Sequence, residues 1–293
     1  MKKVLLLLIV CTIPGIINST VTKSPDSPIK IMTFNIRVNV ASDSMNAWPY
    51  RKDMAASMIQ FHGADIVGLQ EALWEQVEDL TDLLPEYSWF GIGRDDGDKS
   101  GEIMAIFYLK SRFTNLENST FWLSENPDKP GRGWDAVCNR IVTWGRFKDN
   151  RTDKVIYLFN THFDHMGIIA RKESAKLLLR QFEKICGDTN AIVTGDFNCT
   201  PDSEPYKILT EKDDHGMDKK LIDTKTISQY PHHGPDGTFT GFKLTNLQQE
   251  TQPIDHIFVS PGIEVVKHGT LSDIFDGRFP SDHFPVLAEI IIR

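Results

Sequence analysis

Six short apolar runs of this chain each have a carboxylate, amide or imidazole side chain at one end, and this repetition constrains the fold more than any other feature. Runs of this length, bounded by Gly, Pro, Asn and Asp, are typical of buried β-strands. One polar residue at a strand end is weak evidence, because Asp and Asn commonly cap turns. Six such ends in one chain instead predict a single polar cleft where the strand ends meet. The polar groups are Asn35, Glu71, His162, Asp196 with Asn198, Asp255, and Asp282 with His283.

The apolar runs alternate with segments of helical periodicity. Helices are predicted at Pro49–Phe61, at Trp74–Leu84 and from about Ile169 to Cys186. Mixed strands with helices inserted early and late indicate an α/β fold in which two sheets pack face to face with helices outside. The stretches 126–134 and 213–242 are predicted to be long surface loops. Strands are predicted at Ile29–Ile36, Asp65–Gln70, Tyr87–Ile92, Ile103–Leu109, Arg112–Leu123, Val137–Lys148, Lys154–Asn160, Ala191–Thr194, Ile254–Val259, Ile263–His268 and Phe284–Ile292.

The length and cysteine content bear on what a metal would do here. A chain of 293 residues can bury about 75% of its unfolded surface without metal or disulfide support. Metal ligands are therefore expected to be catalytic. The 4 cysteines form no CxxC pair, which argues against a thiolate zinc site. Cys138, Cys186 and Cys199 are predicted to be buried thiols. One disulfide between two of them remains an alternative.

Residues 1–20 have the pattern of a secretory signal peptide. Lys2 and Lys3 precede an apolar run too short to span a bilayer, and a small polar group follows it. A lipid anchor on Cys11 ranks second, because the residues before it lack the small side chains of a lipoprotein site, and a buried strand ranks third. Residues 21–293 are predicted to be one exported domain with no membrane-spanning segment. Without Lys2 and Lys3 it has 30 basic and 40 acidic residues, a net charge of −10.

The polar strand ends lie in segments that resemble the endonuclease/exonuclease/phosphatase superfamily, which includes deoxyribonucleases, sphingomyelinases and carbon-catabolite-repressor deadenylases. The similarity extends from Ile29 to Ile292. It implies a four-layer α/β sandwich whose site hydrolyses a phosphoester by in-line attack of an activated water. The segments are TFNIR (Thr33–Arg37), GLQE (Gly68–Glu71), NTHFDH (Asn160–His165), GDFN (Gly195–Asn198), PIDHIFV (Pro253–Val259) and SDHFPV (Ser281–Val286).

The resemblance also implies a role for each group. Glu71, Asn35 and Asp282 are the expected ligands or orienting groups of Mg²⁺, for which Mn²⁺ can substitute, since hard oxygen donors suit both ions. The remaining assignments are catalytic or concern substrate binding. Asp196 would activate the water, Asn198 would hydrogen-bond the phosphate, the Asp255–His283 pair would stabilise the transition state, and His162 and Arg140 would contact the phosphate.

Several residues have a competing interpretation. His256 is expected to face away from Asp255, because adjacent strand residues alternate sides. Arg140 could instead form a surface ion pair. Trp122, Trp134 and Phe242 are expected either at the cleft mouth or in the core. A zinc site would be built from Asp164, His165, His232 and His233, but these residues lie in predicted loops.

Taken together, the sequence predicts an exported, monomeric, Mg²⁺-dependent phosphoesterase with a small or single-headed substrate. A secreted nuclease is the first alternative, and nucleic acid is disfavoured because the chain is acidic and has no basic stripe. Only Arg140 and Arg37 lie near the motifs. The second alternative is an inactive binding domain, which is expected to have lost one of the motif residues, and none is lost.

Overall fold

A computed structural model describes residues 27–211, 221–243, 245 and 252–293. The predicted signal peptide, including Cys11, lies outside this range, as does the part 213–220 of the loop predicted at 213–242. Within the described ranges, no helix combines the length and the apolar character needed to cross a membrane.

In the described residues, twelve strands form two six-stranded sheets. The first sheet has the spatial order β11-β12-β1-β2-β4-β3, and the second has the order β5-β6-β7-β8-β10-β9. Each sheet is mixed, with a parallel pair at its centre and antiparallel neighbours. The strands are β1 (Ile29–Asn35), β2 (Ile66–Gln70), β3 (Tyr87–Phe90), β4 (Ile106–Leu109), β5 (Phe113–Trp122), β6 (Ile141–Asp149), β7 (Val155–His162), β8 (Ala191–Asp196), β9 (Ile222–Asp223), β10 (Asp255–Val259), β11 (Ile263–Thr270) and β12 (Val286–Ile292).

Helices cover the outer face of each sheet. Successive residues of β1 show why: Ile31 faces the second sheet, whereas Met32 packs on the helix side. The first sheet packs against α1 (Lys52–His62) and α2 (Trp74–Leu83), and the second against α3 (Ile168–Cys186) and α4 (Glu204–Thr210). The predicted four-layer sandwich is confirmed.

The boundaries differ from the predictions where residues serve loops around strand ends. Pro49 belongs to a short 3-10 turn, Trp48–Tyr50, so α1 begins at Lys52. β6 begins at Ile141, because the preceding residues leave the sheet. The predicted loop at 213–242 contains, in its described part, β9 and the one-turn helix α5 (Thr224–Ile227). These elements are too short to show periodicity, as is α4.

The two parallel pairs, β1–β2 and β7–β8, pack against each other across the sandwich. Near their carboxyl ends, Asn160 Nδ2 donates to the Leu69 carbonyl at 2.8 Å, and Gln70 Nε2 donates to Asn160 Oδ1 at 2.7 Å. Gly68 makes room for this crossing, because a Cβ there would lie 2.5 Å from Asn160 Oδ1. Both sheets are thus fixed to each other directly beneath the edge where their strands end.

Candidate active site

Strand register brings three predicted residues into one line across the second sheet. His162 at the end of β7 is the register partner of Asp196 at the end of β8, which in turn pairs with Asp255 at the start of β10. The first sheet contributes Asn35 at the end of β1 and Glu71 directly after β2. Asp282 and His283 precede β12, and Arg140 precedes β6. The structure therefore brings all the predicted site residues to the edge between the sheets.

These residues surround a cavity of about 460 Å³. Asn35 and Asp255 lie one layer deeper and are buried. The other predicted residues line the cavity directly, together with Arg37: Glu71, Arg140, His162, Asp196, Asn198, Asp282 and His283.

Three cavity residues that follow strand ends have a left-handed backbone although none is glycine. Arg37 has a φ of 59°, Glu71 of 60° and Asn198 of 47°. Such conformations cost about 1–3 kcal/mol each and persist only where the surroundings impose them. Here they turn each side chain from its strand into the cavity.

His283 and Asp255 form a buried hydrogen-bonded pair. His283 Nδ1 lies 2.9 Å from Asp255 Oδ2, and His283 Nε2 lies 3.7 Å from Asp196 Oδ2. Burial lowers the pKa of His283, but the Asp255 charge and hydrogen bond, with Asp196 and Asp282, outweigh it and raise that pKa well above its usual range. His283 is therefore an imidazolium that presents Nε2–H to the cavity.

Residues 238–240, here called the clamp segment, hold the elements that carry this pair. Thr238 Oγ1 accepts the backbone N–H groups of Ile254 and Asp255 at 3.1 and 3.2 Å. The Thr238 carbonyl accepts the N–H of Phe284 at 2.7 Å. The Phe239 ring meets the His283 ring edge-on, with 5.0 Å between centroids. One short segment thus fixes the positions of both Asp255 and His283.

The Asp196 carboxyl group has an unusual acidity. Burial and the nearby Asp255 charge raise its pKa to about 7, against the opposing effects of His283 and two hydrogen bonds. Its Oδ1 accepts the Asn198 N–H at 2.9 Å, and its Oδ2 accepts Asn35 Nδ2 at 3.0 Å. A carboxyl group with a pKa near neutrality is suited to accept a proton from water.

His162 is electrically neutral, whereas His283 is positively charged. Asn198 Nδ2 donates to His162 Nε2 at 3.0 Å and to the Phe163 carbonyl at 3.0 Å, so that Nε2 is unprotonated. Burial and the charges of Arg140 and Arg94 lower the pKa of His162 well below its usual range. His162 is therefore neutral, with its proton on Nδ1.

Glu71 and Asp282 could hold a divalent cation. The Arg37 guanidinium lies between them, with Nη1 3.9 Å from Glu71 Oε2 and Nε 3.7 Å from Asp282 Oδ2. Both carboxylates therefore lie within 4 Å of the same positively charged guanidinium group. Burial raises the pKa of Glu71, but the charge on His283 and the hydrogen bonds from Val38 and Asn35 lower it on balance, which favours the ionised ligand. Hard carboxylate oxygens fit Mg²⁺.

Asn35 is better placed to orient these carboxylates than to bind metal. Its Oδ1 accepts the backbone N–H of Arg37 at 3.0 Å, and its Nδ2 donates to Glu71 and Asp196. In the described residues, Asp196, Asp255 and His283 also offer ligand atoms within 4.8 Å of one another. We favour Glu71 and Asp282, because a protonated His283 bound to Asp255 cannot ligate.

The cavity residues that were not predicted include Arg94, Glu102 and Phe239. Arg94 Nη1 donates to Glu102 Oε2 at 2.5 Å, and Arg140 Nη1 lies 3.9 Å from the same oxygen. Burial raises the pKa of Glu102, although the two arginines act against it. Glu102 directly precedes the apolar run at Ile103–Leu109, so the strand-end criterion could have identified it.

Arg140 and His256 each occupy only one of the environments that their sequence positions allow. Arg140 is buried with 4% of its surface exposed, which excludes a surface ion pair. His256 faces away from the cavity, with Nδ1 3.2 Å from Asp223 and Nε2 3.1 Å from the Cys199 carbonyl. None of the aromatic residues Trp122, Trp134 and Phe242 is among the described residues that line the cavity.

The proposed zinc ligands are dispersed. Asp164 accepts backbone N–H groups from Met166 and Gly167, His165 contacts Arg140, and His232 lies 2.9 Å from His268. Cys186 and Cys199 are buried, as predicted, and Cys138 and Cys199 are free thiols. The prediction that Cys138 is buried is wrong: it is only partly buried, because it lines the cavity.

The chain is similar in sequence and in structure to known proteins. Residues 32–283 match the model of the Endonuclease/Exonuclease/phosphatase family. The chain is similar to an endonuclease/exonuclease/phosphatase from Bacteroides vulgatus, with 41% identity, a TM-score of 0.86, and coverage of 91% of this chain and 100% of that one. It is also similar to a mannosyl-6-phosphatase from Bacteroides thetaiotaomicron, with 38% identity, a TM-score of 0.83, and coverage of 90% and 100%. An uncharacterised protein of Acanthamoeba polyphaga mimivirus is 25% identical over 276 residues, which are 88% of this chain and 98% of the relative.

Proposed function

The chain belongs to the endonuclease/exonuclease/phosphatase family, and we propose that it is a Mg²⁺-dependent phosphoesterase whose substrate is a small phosphoester, a sugar phosphate. The observation that carries this proposal is the buried Asp255–His283 pair directed at Asp196 inside a confined cavity. The similarity to a mannosyl-6-phosphatase supports a sugar phosphate in particular.

Each residue has a role that its environment supports. Asp196 accepts the proton of the attacking water, because its raised pKa makes it a competent base near neutral pH. The His283 imidazolium donates Nε2–H to a phosphoryl oxygen, and Asp255 keeps it charged and oriented. Arg140 binds the remaining phosphoryl oxygens. Asn198 instead positions His162, because both hydrogens of its side-chain amide are donated, one to His162 Nε2 and one to the Phe163 carbonyl. A Mg²⁺ ion held by Glu71 and Asp282 would supply further positive charge for the developing oxyanions.

The charges in the cavity favour a single phosphate group. Its arginines are Arg37, Arg94 and Arg140, and each lies close to a carboxylate: Arg37 near Asp43, Arg94 near Glu102, and Arg140 near Asp164. A polyanion would need several unpaired cations along a groove. A cavity of about 460 Å³ is instead of the size that encloses a small ligand.

We also propose that the protein is exported, on the evidence of the signal-like residues 1–20. The monomeric state expected from the sequence remains a separate proposal. Mass spectrometry of the protein from its native host would test this. A mature N-terminus near residue 21 supports a cleaved signal peptide. A lipid on Cys11 would support anchoring, and an intact Met1 would contradict export.

Hydrolysis by the purified protein provides the test of function. Hydrolysis rates are measured in the presence of Mg²⁺ and again in excess chelator. The substrates are mannose 6-phosphate, phenyl phosphate, a phosphodiester, a short oligonucleotide and duplex DNA. We expect the small phosphoesters to be hydrolysed fastest, and Asp196→Asn to be inactive. Arg180→Met, at an exposed position of α3, is the matched control. Full activity in chelator contradicts the proposal.

Duplex DNA separates the proposal from a nuclease. With one or two phosphate contacts, log(kcat/KM) should fall with log[salt] with a slope of roughly −1 to −2. A strong preference for duplex together with a much steeper slope would identify the protein as a nuclease instead.

A further inference from the structure

A chain of close contacts leads from Asp196 along one wall of the cavity. Asp196 Oδ2 lies 3.5 Å from His162 Nε2, and His162 Nδ1 lies 3.7 Å from Glu102 Oε2. Arg94 Nη1 is 2.5 Å from the same Glu102 oxygen. Arg94 and Glu102 are therefore displaced from the hydrolytic centre by the width of one imidazole ring. This is where the alcohol portion of a phosphoester bound at Asp196 would extend.

This wall contains buried nitrogen atoms without hydrogen bonds. Arg94 Nε, Arg140 Nε, Arg140 Nη1 and His162 Nδ1 are all buried and lack hydrogen-bond partners among the residues that the structure describes. A buried donor without a partner is unfavourable, because it has lost its hydrogen bonds to water and gained none in return. Because Arg94, Arg140 and His162 line the cavity, a bound molecule with acceptor atoms would satisfy such donors.

The Arg94 backbone is fixed in position before any ligand arrives. Its N–H donates to the Glu102 carbonyl at 3.0 Å, and its own carbonyl accepts Trp122 Nε1 at 2.7 Å and Asn139 Nδ2 at 3.3 Å. Only 14% of the Arg94 side chain is exposed, the same fraction as for Glu102. This preorganisation reduces the conformational entropy lost on binding.

The chemistry of the wall matches hydroxyl groups. A hydroxyl both donates and accepts hydrogen bonds, whereas a guanidinium only donates and a carboxylate only accepts. Arg94 and Glu102 side by side offer both partners to adjacent hydroxyls. A second phosphate would be repelled by Glu102, and an apolar group would leave the buried donors unsatisfied.

We propose that Arg94 and Glu102 form a subsite that binds the hydroxyl groups of the substrate's alcohol portion, and that the substrate is a phosphoester of a polyhydroxylated alcohol such as a sugar. This inference rests on the proposed function, and it assigns the choice of substrate to residues outside the hydrolytic group.

The test compares two substrates in the full-length protein. The kcat/KM for mannose 6-phosphate is divided by that for phenyl phosphate, whose alcohol portion has no further hydroxyl. We expect this ratio to fall about 10- to 100-fold in Arg94→Met and in Glu102→Gln, as for loss of a hydrogen bond to a charged group. Arg94→Lys, which keeps the charge but not the planar fork, should give an intermediate ratio. Exposed Arg180→Met should leave it unchanged.

Binding measurements keep the inference testable if a variant is unstable or turnover is slow. In the Asp196→Asn protein, calorimetry should show tighter binding of mannose 6-phosphate than of inorganic phosphate, and a further Arg94→Met change should remove that difference. Equal loss for both substrates, or equal affinity for both ligands, overturns the subsite alone. Failure to hydrolyse either phosphoester overturns the proposed function, and calorimetry would still decide on the subsite.

Discussion

His283 and Asp255 come from opposite sheets, and the 2.9 Å hydrogen bond between His283 Nδ1 and Asp255 Oδ2 joins the sheets at the cavity. Asp255 begins β10 in the second sheet, and His283 lies three residues before Val286, where β12 of the first sheet begins. The relative placement of the two sheets therefore sets the geometry of the pair, and a change in sheet packing would alter it.

Because these two residues act as one unit, their substitutions should not be additive. We expect Asp255→Asn and His283→Ala each to lower kcat by about 10²-fold or more, and the double variant to be little worse than either. His256→Ala is the matched control, since His256 binds Asp223 on the opposite face and should affect stability instead. Steady-state kinetics with Mg²⁺ measure the effect. Equal losses at His256 and His283 would show that the wrong imidazole has been assigned.

The acidity of Asp196 predicts a pH-dependent stability difference. Its pKa of about 7 exceeds the value near 3.9 expected in the unfolded chain. Between these pH values the native state retains a proton that the unfolded state has lost, so the free energy of unfolding decreases as pH rises. Asp196→Asn cannot ionise, and its melting temperature relative to the parent should increase from pH 5 to pH 8 without divalent metal. A difference independent of pH would contradict the assigned acidity.

The clamp segment predicts that a residue outside the cavity lining controls turnover. Thr238→Val removes the hydroxyl that accepts two buried N–H groups, which should cost about 1–3 kcal/mol of stability. Displacement of Asp255 should also lower kcat, by about tenfold or more. Thr238→Ser keeps the hydroxyl and should restore kcat. If the Thr238→Val protein has a lower melting temperature but a normal kcat below that temperature, the clamp segment has a structural role only.

The proposed metal site can be tested without catalysis. Mg²⁺ that binds the native state and not the unfolded chain raises the melting temperature, and the increase grows with the logarithm of the Mg²⁺ concentration once that concentration exceeds Kd. We expect this increase in the parent protein and a much smaller one in Glu71→Gln and in Asp282→Asn. Asp79→Asn, at a surface carboxylate paired with Lys52, is the control. An unchanged response in Glu71→Gln would move the metal to other ligands.

The sequence was sufficient to predict the layers and the edge at which the site lies. Apolar alternation identifies strands, and polar residues at their ends must meet when parallel pairs such as β1–β2 and β7–β8 face each other. Asp196 and Asp255 illustrate this: Asp196 ends one apolar run, Asp255 begins another, and the two are register partners in antiparallel strands.

The remaining features depend on contacts between distant segments. Arg94 reaches the cavity from a loop whose shape is set by Trp122 and Asn139, and nothing in its local sequence indicates this. The orientation of the Asn35 amide depends on the left-handed turn at Arg37. Phe239 lies beside His283 only because the clamp segment pairs with the strand end. Such relationships are set by tertiary packing and have no periodic signal.

Because Arg37, Glu71 and Asn198 have a left-handed backbone, laboratory evolution for thermal stability alone would select against their side chains. Glycine adopts that conformation without the strain of about 1–3 kcal/mol carried by each present residue. A library screened only for surviving folded protein would therefore enrich glycine at these three positions, and each gain would delete a side chain from the cavity. Thermal stability favours glycine at these three positions, whereas the proposed phosphoester hydrolysis needs the present side chains. Thermostable variants must therefore be screened for turnover in every round.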